Sequence, residues 1–294
     1  MQLIANGTQG PTTVPTKQTP SGTPGYANSG TPGTYTPTVF DPDMGNTLIA
    51  EIANAVTGAG LTLSASNNAQ LLAAIPIIAT GRLLNIQIFG TAGTYTYTPT
   101  AGTKSVEVEV IGGGGGGAGS ANTGASQASA GAGGAAGGYD RARIVSGFSG
   151  ATITVGAAGI AGDPSGGGSP GGTSSFGSFV TATGGAVGSL GPALSAALLA
   201  PYGSSLGGVG TGGYASSRGG CGQYAFYAGT NSTSGAGGPS ILGAGAPAVF
   251  GASNGTAATT PGSGGGGGVQ GTPSSTGATG GNGTQGLVIV KEFS

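Results

Sequence analysis

The sequence predicts a mainly β protein with glycine-rich loops or polyglycine II packing between its strands, preceded by a short helical module and an extended arm. Three observations carry this expectation. Glycine supplies 70 of the 294 residues, against roughly 7% in an ordinary chain. Beyond Gly81 apolar residues recur at a period of two, the signature of strands with one buried face. Between these strands lie long glycine runs, among them Gly112 to Gly117, Gly131 to Gly138 and Gly264 to Gly268.

The first segment, residues 1–42, is Pro, Thr and Gly with few large apolar side chains, and it carries the near-repeats Ser21-Gly-Thr-Pro-Gly25 and Ser29-Gly-Thr-Pro-Gly33. Such a segment builds no core and runs extended. It reads as a docking arm that gains order on another surface, or as a plain flexible tail.

Composition changes at Asp43, a good N-cap, after which Leu48, Ile49, Ile52, Ala53 and Val56 share one helical face. Gly58 and Gly60 end that helix. A second helix follows with Ser66 or Asn67 as its cap and Leu71, Leu72 and Ile75 as its apolar side, until Pro76 disturbs it. Two helices this short cannot make an independent core, so residues 43–80 read as an oligomerisation module whose stripes bury against each other and against further copies.

Residues 81–294 form the glycine-rich β-strand segment. Leu84, Ile86 and Ile88 alternate, as do Val106, Val108 and Val110 with Glu107 and Glu109 between them. Tyr139 to Val145, Ala151 to Val155 and Ser178 to Thr183 are further strands. The last strand, Leu287 to Phe293, begins apolar on both faces and should sit centrally. Glycine this dense costs chain entropy, so an ordered form must recover it by close backbone packing. Polyglycine II offers that, because no side chain separates neighbouring three-residue helices. Floppy linkers are the alternative.

Charge excludes several function classes. Charged residues are 5% of the chain and the net charge is −1, so the clustered Lys and Arg that nucleic acid or an anionic membrane demands are missing. A mean hydropathy of +0.16 with so little charge is also unlike ordinary disorder. The chain lacks histidine, and its scattered acids form no acid/base pair, calcium loop or phosphate-binding motif. No catalytic residue, cofactor or metal is expected. Cys221 stands alone and reads as a small buried apolar residue.

Two clusters stand out. Tyr139-Asp-Arg-Ala-Arg143 concentrates charge and reads as a solvated strand edge. Tyr214, Arg218, Tyr224, Phe226 and Tyr227 surround Cys221 in a glycine-rich stretch, with Tyr202 beside Pro201 able to join them. Aromatics with arginine on a small-residue surface suit protein and glycan contacts. A small apolar plug beneath the loop explains them equally well.

The order of these parts resembles bacteriophage tail fibre and tail-tip proteins with a C-terminal glycine-rich domain. The resemblance rests on Gly93 to Gly117, on Ala136-Gly-Gly-Tyr139, on Gly171-Gly-Thr-Ser-Ser-Phe-Gly177 and on the closing Gly280 to Val290. Upstream, Ile49 to Leu63 and Asn68 to Ile75 look like the short helical module that precedes such tips. The family implies a fibrous homotrimer in the virion tail, joined to tail or baseplate proteins by its N-terminus and presenting its glycine-rich end to a bacterial glycan or outer-membrane protein. No secretion signal is visible from Met1 to Gly10, which fits synthesis in the host cytoplasm. Tyr202, Tyr214, Arg218, Tyr224, Phe226 and Tyr227 are the receptor-contact candidates. A virion component without receptor contact and a cellular glycine-rich adhesin are the other readings.

Overall fold

The computed structural model describes residues 42–294 except 80, 167, 196–199, 228–230 and 272–275. The arm over residues 1–42 therefore lies outside the described residues but for Pro42. The chain divides after Arg82 into two compact units, with Ser294 counted in the first.

In the first unit, α1 (Pro42–Gly58) and α2 (Gln70–Ile78) pack together. Gly60 ends α1 with φ of +76°. Leu61 N–H bonds Val56 O at 3.2 Å and Gly60 N–H bonds Thr57 O at 2.8 Å, the double bond of a Schellman ending. The start of α2 differs from the sequence expectation. Asn67 Oδ1 accepts the amide of Ala69, closing a turn ahead of the helix, so neither Ser66 nor Asn67 is its cap. Pro76 does not end α2, which runs on to Ile78. Ala53, Val56 and Ala74 are buried, whereas Leu48, Leu72, Ile75, Ile77 and Ile78 remain exposed, Leu72 at 72%. Ile49 and Ile52 of the α1 stripe are half-buried, so the large apolar residues left in the open lie mainly on α2.

The second unit begins as a β-sandwich. One sheet runs in the order β1 (Leu83–Phe89), β16 (Leu287–Phe293), β3 (Ser105–Ile111), β5 (Tyr139–Ile144) and β12 (Ala215–Ser217). The other runs β11 (Gly210–Thr211), β8 (Val180–Ala182), β7 (Ser174–Phe176), β6 (Thr152–Val155) and β2 (Gly93–Thr96). All their pairings are antiparallel. The final strand is central, as its sequence demanded, with Val288 and Val290 facing inward. Those two pack with Val106, Val108, Val110, Ile153, Phe176 and Tyr97 in one core.

Beyond the sandwich the strands become glycine helices. Residues 112–120 continue β3, and their amides rotate through three neighbours at a period of three. Gly112, Gly115 and Ala118 donate to Gly138, Ala135 and Ala132; Gly113 and Gly116 donate to Gly172 and Ser169; Gly114, Gly117 and Ser120 donate to Thr284, Gly281 and Ala278. Their carbonyls accept at the same period from three further segments, those carrying Gly185 and Gly188, Gly159 and Gly162, and Gly265 and Gly268. One strand-like segment thus has six hydrogen-bonded neighbours, which is the lattice of polyglycine II rather than of a sheet. Residues 131–138, which lead into β5, form a second such hub.

The spacing explains the composition. A Cβ on any of Gly112 to Gly117 would lie between 1.9 and 2.2 Å from a neighbouring carbonyl oxygen. At the rim of the bundle, where neighbours run out, small polar side chains take over. Asn254 Oδ1 accepts Thr279 N–H at 3.0 Å, Asn282 Oδ1 accepts Ala161 N–H at 2.7 Å and Asn122 Oδ1 accepts Gly277 N–H at 2.8 Å.

The bundle carries a second group of strands away from the sandwich. These are β4 (Gln127–Ala130), β9 (Leu194–Ser195), β14 (Ala252–Ser253) and β15 (Val269–Gln270) in one sheet, with β10 (Ala200–Tyr202) paired to β13 (Ala225–Tyr227) beside it. Ala128, Ala130, Ala225, Tyr227 and Val269 make a small core there.

Candidate attachment surface

The far end of the bundle is built on Tyr227. Its ring has no accessible surface, and its hydroxyl donates to Ala130 O at 3.1 Å and Pro192 O at 3.2 Å. Burial pushes that hydroxyl's pKa up to about 12. Tyr202 packs edge-on against the same ring, with centroids 6.3 Å apart. Because side chains alternate along a strand, burying Ala225 and Tyr227 turns Phe226 outward.

Phe226 belongs to a row. It pairs with Pro201 across β10 and with Thr233 on its other side, and Thr233 in turn pairs with Phe250. Side chains opposite each other in paired strands share a face, so Pro201, Phe226, Thr233 and Phe250 line up across four extended segments. Phe226 is 42% exposed and Phe250 71% exposed. Tyr224, two residues before Phe226, is 60% exposed.

The segments that carry the row are also free of charge. Between Asp163 and Lys291 the sequence holds one charged residue, Arg218, and residues 121–127 hold none. Most charge sits instead on the sandwich. Arg141 Nη2 lies 2.5 Å from Glu107 Oε1, and Lys291 Nζ lies 2.6 Å from Glu109 Oε1 and 3.4 Å from Glu107 Oε1. Partial burial pushes the Glu107 carboxyl upward, but the hydrogen bonds from Arg141 and Tyr214 and the charge of Lys291 bring it below its ordinary value.

The six contact candidates do not form one site. Tyr202, Tyr224, Phe226 and Tyr227 gather at the far end, with Tyr227 wholly inside. Tyr214 lies on the sandwich, where its hydroxyl donates to Glu107 Oε2 at 3.1 Å and its ring stands 5.8 Å from the Arg141 guanidinium. Arg218 donates to Gly207 O at 3.0 Å along the bundle. The stretch from Tyr214 to Tyr227 is not a loop, since it runs through β12, a bundle segment and β13.

Two sequence expectations are corrected here. Cys221 is exposed rather than buried. Gly220 and Gln223 bond the 131–138 hub while Gly219 and Gly222 bond Gly208 and Ser205, so a period of three leaves residue 221 facing out. Tyr139 to Arg143 is not a solvated edge, because β12 covers β5. Buried Asp140 holds that cover, accepting from Gly213 N–H at 3.0 Å and Ser216 Oγ at 2.8 Å.

Sequence reasoning missed Pro201, Thr233 and Phe250 as members of the row. Phe250 was findable, being the sole aromatic between Tyr227 and Phe293. The pairing that brings it beside Phe226 was not.

Elsewhere an open groove of about 380 Å³ runs over the bundle, lined by Ala161, Asp163, Ala257, Thr279 and Asn282 among others. Among the described residues no three His, Cys, Asp or Glu side chains gather to hold a metal ion, and no helix is long and apolar enough to cross a membrane.

A comparison with curated proteins found no match. A family of glycine-rich domains, in contrast, matches residues 90–292, which span both sheets of the sandwich beyond β1, the whole glycine bundle and the aromatic row. The chain belongs to the glycine-rich domain family.

Proposed function

We propose that the chain is a structural protein of a phage virion, a tail fibre or tail tip, whose far bundle end attaches to the host cell surface. The observation that carries this reading is the gathering of exposed aromatic side chains at the end of the second unit away from the charged sandwich. The charges of the sandwich are largely paired with one another, and Tyr214 there is tied to Glu107, whereas the opposite end presents Tyr224, Phe226 and Phe250 on segments that carry no charge. Exposed aromatic rings on a rigid frame favour recognition, because little order is lost when they bind.

Assembly follows from the first unit. Leu48, Leu72, Ile75, Ile77 and Ile78 stand exposed on helices too short to be stable alone. Further copies of the chain would cover them, and a homotrimer multiplies weak contacts at the far end into avidity. The Pro/Thr/Gly arm is the natural link to tail or baseplate proteins.

A second reading is a virion component without receptor contact. It is favoured by the close fit of the glycine lattice, which accounts for the composition with no ligand. Light scattering on the purified full-length chain, with sedimentation against a panel of bacterial strains from the same preparation, separates the two. A trimer that co-sediments with some strains and competes with phage for them supports attachment. A trimer that ignores every strain supports the structural role, and a monomer removes the fibre from both.

A further inference from the structure

The row at the far end has a shape and chemistry that select a class of ligand. Phe226 and Phe250 lie two strands apart on one face with Thr233 between them, a separation of roughly 10 Å at ordinary strand spacing. Beside Phe226 the row is widened by Tyr224, two residues before it on the same face; beside Phe250 and Thr233 it is one residue wide. The positions two removed from Phe250 along its strand are Ala248 and Ala252, and Asn231 precedes Thr233 by two. It is therefore a strip of rings, edged by small side chains around Phe250 and Thr233, rather than a broad apolar patch of the kind protein partners use.

The strip is also held stiffly. Its reverse side carries Ala225, Tyr227 and Val249 in the small core, and Phe226 and Thr233 exchange both backbone hydrogen bonds, at 2.8 and 2.9 Å. No charged residue occurs from 219 to 290, so a charged ligand would lose its hydration there without gaining a counter-charge.

We propose that the Pro201, Phe226, Thr233, Phe250 row is a stacking strip for a neutral, extended glycan. The apolar faces of alternate sugars would lie on the two phenyl rings, and a hydroxyl of the intervening sugar would donate to Thr233 Oγ1, whose own proton goes to Val249 O at 3.2 Å. Aromatic rings bind by such faces without needing charge. An extended β-1,4-linked chain suits two rings at this separation, because its alternate sugars repeat the same presentation. This inference rests on the attachment reading and specifies the chemistry of its ligand.

The test is calorimetric titration of the full-length chain with cellohexaose, at low and high salt, alongside the cell sedimentation above. The expected result is saturable binding indifferent to salt, weakened roughly tenfold or more by Phe226→Ala or Phe250→Ala. Phe250→Tyr keeps the ring and retains binding, and Tyr214→Ala, at the sandwich end, leaves it unchanged. Circular dichroism confirms that each variant is folded. No saturable binding by the unmodified chain, binding by either alanine variant as tight as the unmodified chain's, or binding that fades with salt overturns the assignment. A chain that binds cells but not the hexasaccharide defeats the strip and spares attachment; the converse defeats attachment and spares the strip.

Discussion

Gly114 and Ser263 approach so closely that a Cβ on Gly114 would stand 1.9 Å from the Ser263 carbonyl oxygen. The relationship recurs along the hub, where Gly117 faces Gly266 O at 2.0 Å in the same sense. Glycine is required there by its neighbours rather than by its own backbone conformation, and the hydrogen-bond lattice is the return on the entropy it loses.

Substituting the hub therefore strains backbone against backbone, with no flexible side chain to give way. Gly114→Ala and Gly117→Ala are each expected to lose about 3 kcal/mol or more of stability in chemical denaturation. Gly58→Ala is the contrast. Nothing lies within 4 Å of its added Cβ, and it sits in α1, so it is expected to be neutral or to stabilise by about 0.5–1 kcal/mol.

Tyr227 and its neighbours should divide sharply. Tyr227→Phe removes a hydroxyl that serves Ala130 O and Pro192 O, a loss of about 1 kcal/mol. Tyr227→Ala opens a cavity and is expected to cost about 3–5 kcal/mol. Tyr224→Ala and Phe226→Ala, both on the surface, should fall within about 0.5 kcal/mol of the parent in the same denaturation series.

Glu292 gives the sandwich an acid limit. Its buried Oε1 accepts from Tyr97 Oη at 2.5 Å, Gln87 Nε2 at 2.8 Å and Thr100 N–H at 3.2 Å, while Oε2 has no partner. Burial pushes its pKa up, but the Thr100, Tyr97 and Gln87 donors bring it below the ordinary value of 4.5. With the folded pKa lower than the unfolded one, the unfolded chain takes the proton first. The stabilisation is complete above pH 4.5 and drains away as pH falls through the lower folded value. Melting temperature against pH should show this decline, and Glu292→Gln should be less stable at neutral pH with a shallower acid slope.

Tyrosines set the alkaline limit. Burial, chiefly, pushes Tyr139 and Tyr227 from the ordinary 10.0 up to about 12, and Tyr97 is also raised by burial and by the Glu292 carboxylate. A raised folded pKa means stability that is whole below pH 10 and is lost as pH climbs towards 12. Ultraviolet titration should show these three ionising late, together with loss of structure.

Much of the sandwich was legible because period-two patterning is local. Val106, Val108 and Val110 pointed inward with Glu107 and Glu109 outward, and Leu287 to Val290 went to the centre. Glycine packing was legible as a class, since only close backbone contact repays so much glycine, but sequence left glycine-rich loops and polyglycine II packing as alternatives. The structure has a sandwich whose strands continue into a polyglycine II bundle. What escaped was everything set by long-range pairing. Cys221 turned outward and Tyr139 to Arg143 gained β12 as a cover because residues far apart in sequence became neighbours. The aromatic row escaped for the same reason, since glycine segments carry no side-chain pattern that fixes which helix lies beside which.

The central claim is that the glycine runs form a rigid lattice holding the aromatic end in place. Amide hydrogen exchange across Gly112 to Gly117 and Gly131 to Gly138 tests it most directly. The lattice requires these amides to be protected as strongly as those of β3 and β16 in the sandwich core. Exchange at the rate of an unstructured chain would contradict it, and would return the glycine runs to the status of linkers.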